Sequence, residues 1–176
     1  MSVDPYPYVA KYTTSEDDLL SLHCGDGREL SGVYAKSITC VDIYQPYLDH
    51  IKAIRPEAMY VCMDSLEYAK QQADKSFDVV SLLDGLEHLT KDRGLLLLTE
   101  LKRIARKHIL LFTPNGFTDN HPHNAWGIEG GDEHQLHLSG WPEAEVVALG
   151  FHVLERKMAY TESAQYYESM MYVLDV

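Results

Sequence analysis

Apolar positions along the chain alternate between two spacings, and each change of spacing marks an element. Leu19, Leu20 and Leu22 form a short apolar run that stops at His23-Cys24-Gly25-Asp26-Gly27. Leu30, Val33 and Tyr34 then recur at helical spacing, and Ile38 to Val41 restore a strand that closes on Asp42. Gln45-Pro46 opens a helix with proline near its first position; Leu48, Ile51 and Ile54 supply the apolar face and Pro56 stops it. Met59 to Met63 predicts a third strand, ending at Asp64-Ser65. Phe77 to Leu83 (FDVVSLL) is β-rich and almost wholly apolar, which predicts a central strand covered on both faces. A helix follows from about Thr90 to Lys107, with Thr90 as its cap and Leu95, Leu98, Leu101, Ile104 and Ala105 facing inward. His108 to Phe112 is the fifth strand, closed by Thr113-Pro114-Asn115-Gly116. Pro142 starts a helix through Leu149, and Gly150 ends it. Phe151 to Met158 and Tyr167 to Leu174 finish the chain as two strands joined near Thr161 to Ser163.

Strands alternating with helices predict an α/β fold: a doubly wound, mostly parallel seven-stranded sheet with helices on both faces. The last two strands have no helix between them, so they are expected to form a C-terminal antiparallel hairpin. A single domain spans residues 1–176. Residues 1–14 read as an N-terminal arm over the site or a loosely packed tail. Residues 117–140 carry no usable period and read as a long loop or lid. That stretch contains His121, His123, Trp126, His134 and His137.

Composition narrows the function classes. A chain of 176 residues with 45% apolar residues can bury about 70% of its unfolded surface, so it is a globular protein rather than a disordered one. A formal charge of -12 argues against a nucleic-acid partner. The local cluster Lys102-Arg103-Arg106-Lys107-His108 reads instead as solvated cations complementing a helix C-terminus. No apolar run approaches the ~20 residues of a membrane helix, and the N-terminus lacks a signal-peptide pattern, so the expected location is cytoplasmic, without a membrane. Cys24, Cys40 and Cys62 fall in or beside strands and are expected as buried free thiols.

The candidate chemistry sits at the strand ends. Glycines between a parallel strand and a helix let the backbone approach a ligand closely. An acid closing the next strand, here Asp42, can accept from ribose hydroxyls. Together these are the parts of a nucleoside-cofactor site. A dinucleotide fingerprint does not fit, because Leu30 occupies the third glycine position and the terminal hairpin is foreign to that fold. Asp64 and Glu67 have the spacing of a capping box before Leu66 to Ala69, so Asp64 reads locally as a helix N-cap.

Leu20 to Gly27 followed by Val41-Asp42 resembles the first two motifs of the class I S-adenosylmethionine-dependent methyltransferases. FDVVSLLDGLEHL, ILLFTPNG and EHQLHLSGWPEAEVVALGFHVLE resemble the fourth strand, the fifth strand and the histidine-containing segment of the small-molecule enzymes grouped as type 11 or type 12. The resemblance covers roughly Leu19 to Val176. It departs at Ser21, where the family has an acid, and at His23, where it has a glycine. The resemblance implies methyl transfer from S-adenosylmethionine, with S-adenosylhomocysteine as product, to a small-molecule acceptor through oxygen or nitrogen. It places His23, Cys24, Gly25 and Gly27 at the methionine portion, and Asp42 and Ile43 at the ribose. Asp64 and Ser65 then lie at the adenine, and Leu83 and Asp84 line the wall beneath. The alternative is a catalytically silent methyltransferase-like binding module, because of Ser21 and His23.

For the acceptor, His88 just after the central strand and His134 and His137 on the long loop are the catalytic candidates, imidazole being suited to proton transfer near neutral pH. His121-x-His123, His134-x-x-His137 with Asp132 and Glu133, and Asp84 with Glu87 also offer cation donors. None has the spacing of a closed zinc site, so no metal is assigned. The sequence leaves the oligomeric state open.

Overall fold

The computed structural model describes residues 2–120, 127–160 and 166–176. In chain order the elements are α1 (Tyr6–Tyr12), β1 (Asp18–Leu22), β2 (Ser37–Asp42), α2 (Gln45–Ile54), β3 (Met59–Cys62) and α3 (Ser65–Lys70). They continue with β4 (Phe77–Leu83), α4 (Lys91–Ile104), β5 (Ala105–Pro114), α5 (Glu143–Ala148), β6 (His152–Tyr160) and β7 (Tyr166–Asp175). Among the described residues the strands form one seven-stranded sheet in the order β3-β2-β1-β4-β5-β7-β6. The first five run parallel, and β7 lies antiparallel to both β5 and β6. This is the expected doubly wound sheet with a terminal hairpin; the connection at residues 161–165 lies outside the described residues.

The apolar run of β4 puts it at the centre, between β1 and β5, with every residue buried. Alternation then divides the core between the two faces of the sheet. Leu20, Leu22, Val80 and Leu82 pack with Leu66, Leu97, Leu98 and Leu101 of α3 and α4. Leu19, Val79, Leu83 and Phe112 pack on the other face with Leu48 and Ile51 of α2 and Val9 of α1. The N-terminal segment is therefore an arm under the sheet rather than a loose tail: Val9 is fully buried and Val3 N–H donates to Ser169 Oγ at 2.8 Å.

Several local expectations change. The first crossover is not a helix. Only a 3-10 turn, Arg28–Leu30, forms there, between Gly27 and Gly32, which both hold left-handed angles (φ 77° and 71°). Leu30 and Val33 still reach the core, but Tyr34 is 80% exposed. β5 begins at Ala105 rather than His108, so α4 ends earlier and Arg106 and Lys107 sit on a strand. They are not simply solvated: Arg106 bridges Asp18 and Asp78, and Lys107 pairs with Asp17 and Asp78. Thr90 holds the N-cap position of α4 without a side-chain cap bond. Cys24 and Cys40 are buried, whereas Cys62 on edge strand β3 is exposed. No helix among the described residues is long and apolar enough to cross a membrane.

Candidate functional site

The site opens at the C-terminal ends of β1, β2 and β4, where the strand order reverses from β1 and adjacent crossovers leave a crevice. β1 and β4 end side by side, with Leu22 opposite Leu82. The residues that follow, His23 and Asp84, both turn out of the sheet with left-handed angles (φ 55° and 48°). Such angles are uncommon for residues with side chains, and histidine and aspartate are among those that tolerate them. The ladder holds both turns: His23 N–H donates to Val41 O at 2.9 Å and Asp84 N–H to Phe112 O at 3.0 Å. The two turns touch. A Cβ on Gly85 would lie 2.7 Å from Leu82 Cδ1 and 3.0 Å from His23 Cβ, so any side chain at position 85 would have to push these neighbours aside.

The His23 side chain crosses the crevice, its Nε2 2.9 Å from Ser65 Oγ at the start of α3. Burial pushes its pKa down to about 4, with His88 adding to the shift, so the ring is neutral at physiological pH. Asp42, 7% exposed, braces the same turn: Oδ2 accepts from Gly25 N–H at 3.2 Å and Oδ1 from Tyr44 N–H at 3.0 Å. Burial raises the Asp42 pKa against the pull of these amides. Asp64 is the predicted N-cap, Oδ1 accepting from Leu66 N–H and Glu67 N–H at 3.0 and 3.1 Å; Oδ2 pairs with Arg93 at 2.7 Å.

Glu29 is a functional candidate that the sequence reading missed. It is 4% exposed, points back beneath the turn, and accepts hydrogen bonds from Ser21 Oγ and, at 3.4 Å, from Ser81 Oγ. Burial pushes its pKa up to about 8, helped by the charges of Asp42, Asp26 and Asp84. The 3-10 turn thus sets a buried carboxyl directly against Ser21 of β1. The available signal was an acid two positions past the last glycine, next to a strand carrying serine at that point.

Two chambers result. The larger, about 170 Å³, is bounded by His23, Asp42, Ile43, Asp64, Ser65 and Asp84. Its far wall carries His88, Met63 and the 3-10 turn Asp132–Gln135 with His134. The smaller, about 20 Å³, lies between Cys24, Gly25, Leu83, Glu29 and Tyr6. His23 and Asp84 line both chambers, so the two side chains stand at their boundary. Asp84 is open to the crevice yet sunk deep between protein walls, and desolvation with the neighbouring Glu87 charge raises its pKa well above the ordinary range. The chambers thus gather every predicted site residue except two. Gly27 faces Ile51 of α2, where a Cβ would lie 2.9 Å from Ile51 Cγ1, and His137 lies behind His88 with ring centroids 5.1 Å apart.

The described part of the long loop is tied down. Tyr44 OH donates to Glu129 O at 2.7 Å, and its ring lies 5.9 Å from that of His134. His137 N–H donates to Asn120 Oδ1 at 2.8 Å, and Leu138 N–H to Glu87 O at 2.8 Å. His121, His123 and Trp126 lie outside the described residues.

A family model described as a methyltransferase domain matches residues 20–112, just over half of the chain. No curated protein sequence matches. Among solved structures, an S-adenosylmethionine-dependent methyltransferase from Methanosarcina mazei superposes with a TM-score of 0.67 at 15% identity, covering 98% of each chain. The N-methyltransferase NodS of Bradyrhizobium japonicum, in complex with S-adenosylhomocysteine, gives 0.62 at 14% identity over 96% of this chain and 85% of that one. A 1,6-didemethyltoxoflavin-N1-methyltransferase of Burkholderia thailandensis, with 1,6-didemethyltoxoflavin and S-adenosylhomocysteine bound, gives 0.63 at 15% identity over 97% and 78%. At such identities these likenesses show the fold.

Proposed function

The chain belongs to the methyltransferase domain family, whose methyl donor is S-adenosylmethionine, and we propose that its two chambers hold that donor while a small-molecule acceptor enters along the His88–His134 wall. The observation that carries this reading is Asp42 at the end of β2, fixed against the left-handed His23–Gly27 turn. Each Asp42 oxygen accepts one backbone N–H and keeps a second lone pair for a ribose hydroxyl.

The residues fit the donor. Its adenosine end suits the larger chamber, beside Asp42, Ile43, Asp64 and Ser65. Its methionine end suits the smaller one, where the Asp26–Arg28 pair and the carboxyls of Glu29 and Asp84 offer hydrogen-bonding partners for its ammonium and carboxylate. The His23 ring must turn aside to join the chambers, and it gives up one hydrogen bond, to Ser65, in doing so. When bound, the donor supplies an electrophilic methyl on sulfonium sulfur. The protein's part is then alignment, since in-line displacement depends on approach geometry. Asp42 and the Gly25 amide fix the turn, Asp84 and Leu83 form the floor, and the Asp132–Gln135 turn covers the acceptor side and keeps out water.

His134 lines the chamber with its Nε2 3.8 Å from Glu133 Oε1. It is placed to take a proton from the acceptor. Nothing among the described residues favours the silent-module reading, and the Glu29 carboxyl gives the turn a hydrogen-bonding group beside Ser21. The small-molecule acceptor is suggested by the modest chamber and by relatives such as the toxoflavin-precursor enzyme.

Calorimetric titration with S-adenosylhomocysteine tests the reading. Saturable one-to-one binding is expected, weakened at least about tenfold in Asp42→Ala with the fold intact. Heats of dilution alone, or equal affinity in both proteins, would overturn it.

A further inference from the structure

Behind the acceptor wall, Glu87 and His137, which the methyl-transfer reading leaves unused, converge on His88 of the wall itself. Glu87 and His88 stand on the 3-10 turn Leu86–His88 that follows β4. His137 arrives from the opposite side, after the turn Asp132–Gln135, and is held there because Glu87 O accepts the N–H groups of Leu138 and Ser139 at 2.8 and 3.1 Å. One donor atom from each of Glu87, His88 and His137 lies within 4.8 Å of the other two. That is the spread of ligands around one ion.

The hydrogen bonding prepares the imidazoles. His88 Nδ1 lies 3.2 Å from Leu136 O, and His137 Nδ1 lies 2.5 Å from Thr118 O. A carbonyl oxygen only accepts, so each Nδ1 is the protonated nitrogen, and each neutral ring keeps the Nε2 lone pair for a ligand. A metal-bound histidine ordinarily has its other nitrogen held in this way. The carboxylate is left wanting. Glu87 is 2% exposed; its carboxyl has the Thr113 side chain as a neighbour, but its Oε2 is buried with no hydrogen-bond partner among the described residues. A buried carboxylate oxygen without a donor is costly, and a cation relieves that cost.

We propose that Glu87, His88 and His137 form a site for a divalent transition-metal cation, with its open coordination position facing the His88–His134 wall of the larger chamber, where the acceptor enters. Two imidazoles and one carboxylate suit Zn²⁺ or Mn²⁺, whereas Mg²⁺ and Ca²⁺ prefer oxygen ligands throughout. Three protein ligands leave a vacancy, and His88, which also lines the chamber, directs that vacancy toward it. An oxygen of the acceptor, a hydroxyl or phenol, completes the sphere and loses its proton more readily there. This last role rests on the proposed methyl transfer; cation binding does not.

The test is a titration of metal-stripped full-length protein with Zn²⁺, and separately Mn²⁺, against a chromophoric chelator. One equivalent of Zn²⁺ is expected to bind, with affinity falling at least about tenfold in His137→Gln and in Glu87→Gln. The double variant His121→Ala/His123→Ala is expected to bind as the parent does. Equal affinity in the parent, His137→Gln and Glu87→Gln would overturn the site, as would loss of binding only in the double variant. Should the site variants fail to fold, ¹⁵N NMR of the parent's imidazoles decides. Zn²⁺ is expected to shift the Nε2 resonances of His88 and His137, and unmoved resonances would overturn the proposal. Titration of the same samples with S-adenosylhomocysteine separates the two readings: metal binding without that ligand would sink the donor assignment and leave the cation site standing.

Discussion

The Ser21 hydroxyl on β1 donates to the carboxylate of Glu29, which lies on the 3-10 turn after the glycines. This bond sets an acidic group directly against β1, beneath the crevice. It also places a carboxyl in a wholly buried site beside Asp26, Asp42 and Asp84, with Ser21 and Ser81 as hydroxyl partners.

A pH signature follows from Glu29. The unfolded carboxyl ionises at 4.5, while the folded one does so at about 8. Between those values the native state holds the extra proton, so stability falls as pH rises across that window and levels off above it. Glu29→Gln is expected to remove that slope and to gain on the parent by on the order of 3 kcal/mol between pH 5 and pH 8. Parallel thermal melts across the window measure it; parallel slopes in the two proteins would contradict it.

His23 at the chamber boundary gives a second prediction. His23→Gly removes the ring from that boundary and suits the left-handed angle, φ 55°. Affinity for S-adenosylhomocysteine is expected to rise several-fold by calorimetry. A fall would instead make the ring a direct contact of the ligand.

Gly85 tests the packing of the two turns. Gly85→Ala would place a methyl 2.7 Å from Leu82 Cδ1 and 3.0 Å from His23 Cβ. Urea denaturation is expected to show a loss of about 1–3 kcal/mol, the usual cost of overpacking. An unchanged midpoint would show that the turns yield freely.

On the opposite edge, Asp78 lies 2.7 Å from Arg106 and 3.3 Å from Lys107, and the Arg106 hydrogen bond holds its carboxyl well below the ordinary range. A depressed carboxyl stabilises the fold above its unfolded pKa and loses that contribution as pH falls through the folded one. Asp78→Asn is expected to cost roughly 1 kcal/mol at neutral pH, since Arg106 is partly exposed, and to lessen acid sensitivity below pH 4. Acid melts of the two proteins check the sign.

These residues also show what the sequence could and could not disclose. The seven residues of β4 are legible because an uninterrupted apolar run has one cheap solution, burial on both faces. Helix α2 is legible because Pro46 and Pro56 bracket its apolar face. The first crossover misleads, since Leu30 and Val33 have helical spacing but reach the core from a turn broken by Gly27 and Gly32. Glu29 is hidden for a related reason: it meets Ser81, 52 residues away, only once β1 and β4 lie side by side. His137 illustrates the same limit, for its nearness to Glu87 and His88 arises only when the long loop folds back.

A crystal structure with S-adenosylhomocysteine bound decides whether the two chambers hold the donor. Density is expected across both chambers, with ribose hydroxyls within hydrogen-bond distance of Asp42 and the His23 ring turned away from Ser65. Density elsewhere, or a ligand bound with the His23–Ser65 contact intact and Asp42 untouched, would contradict that reading.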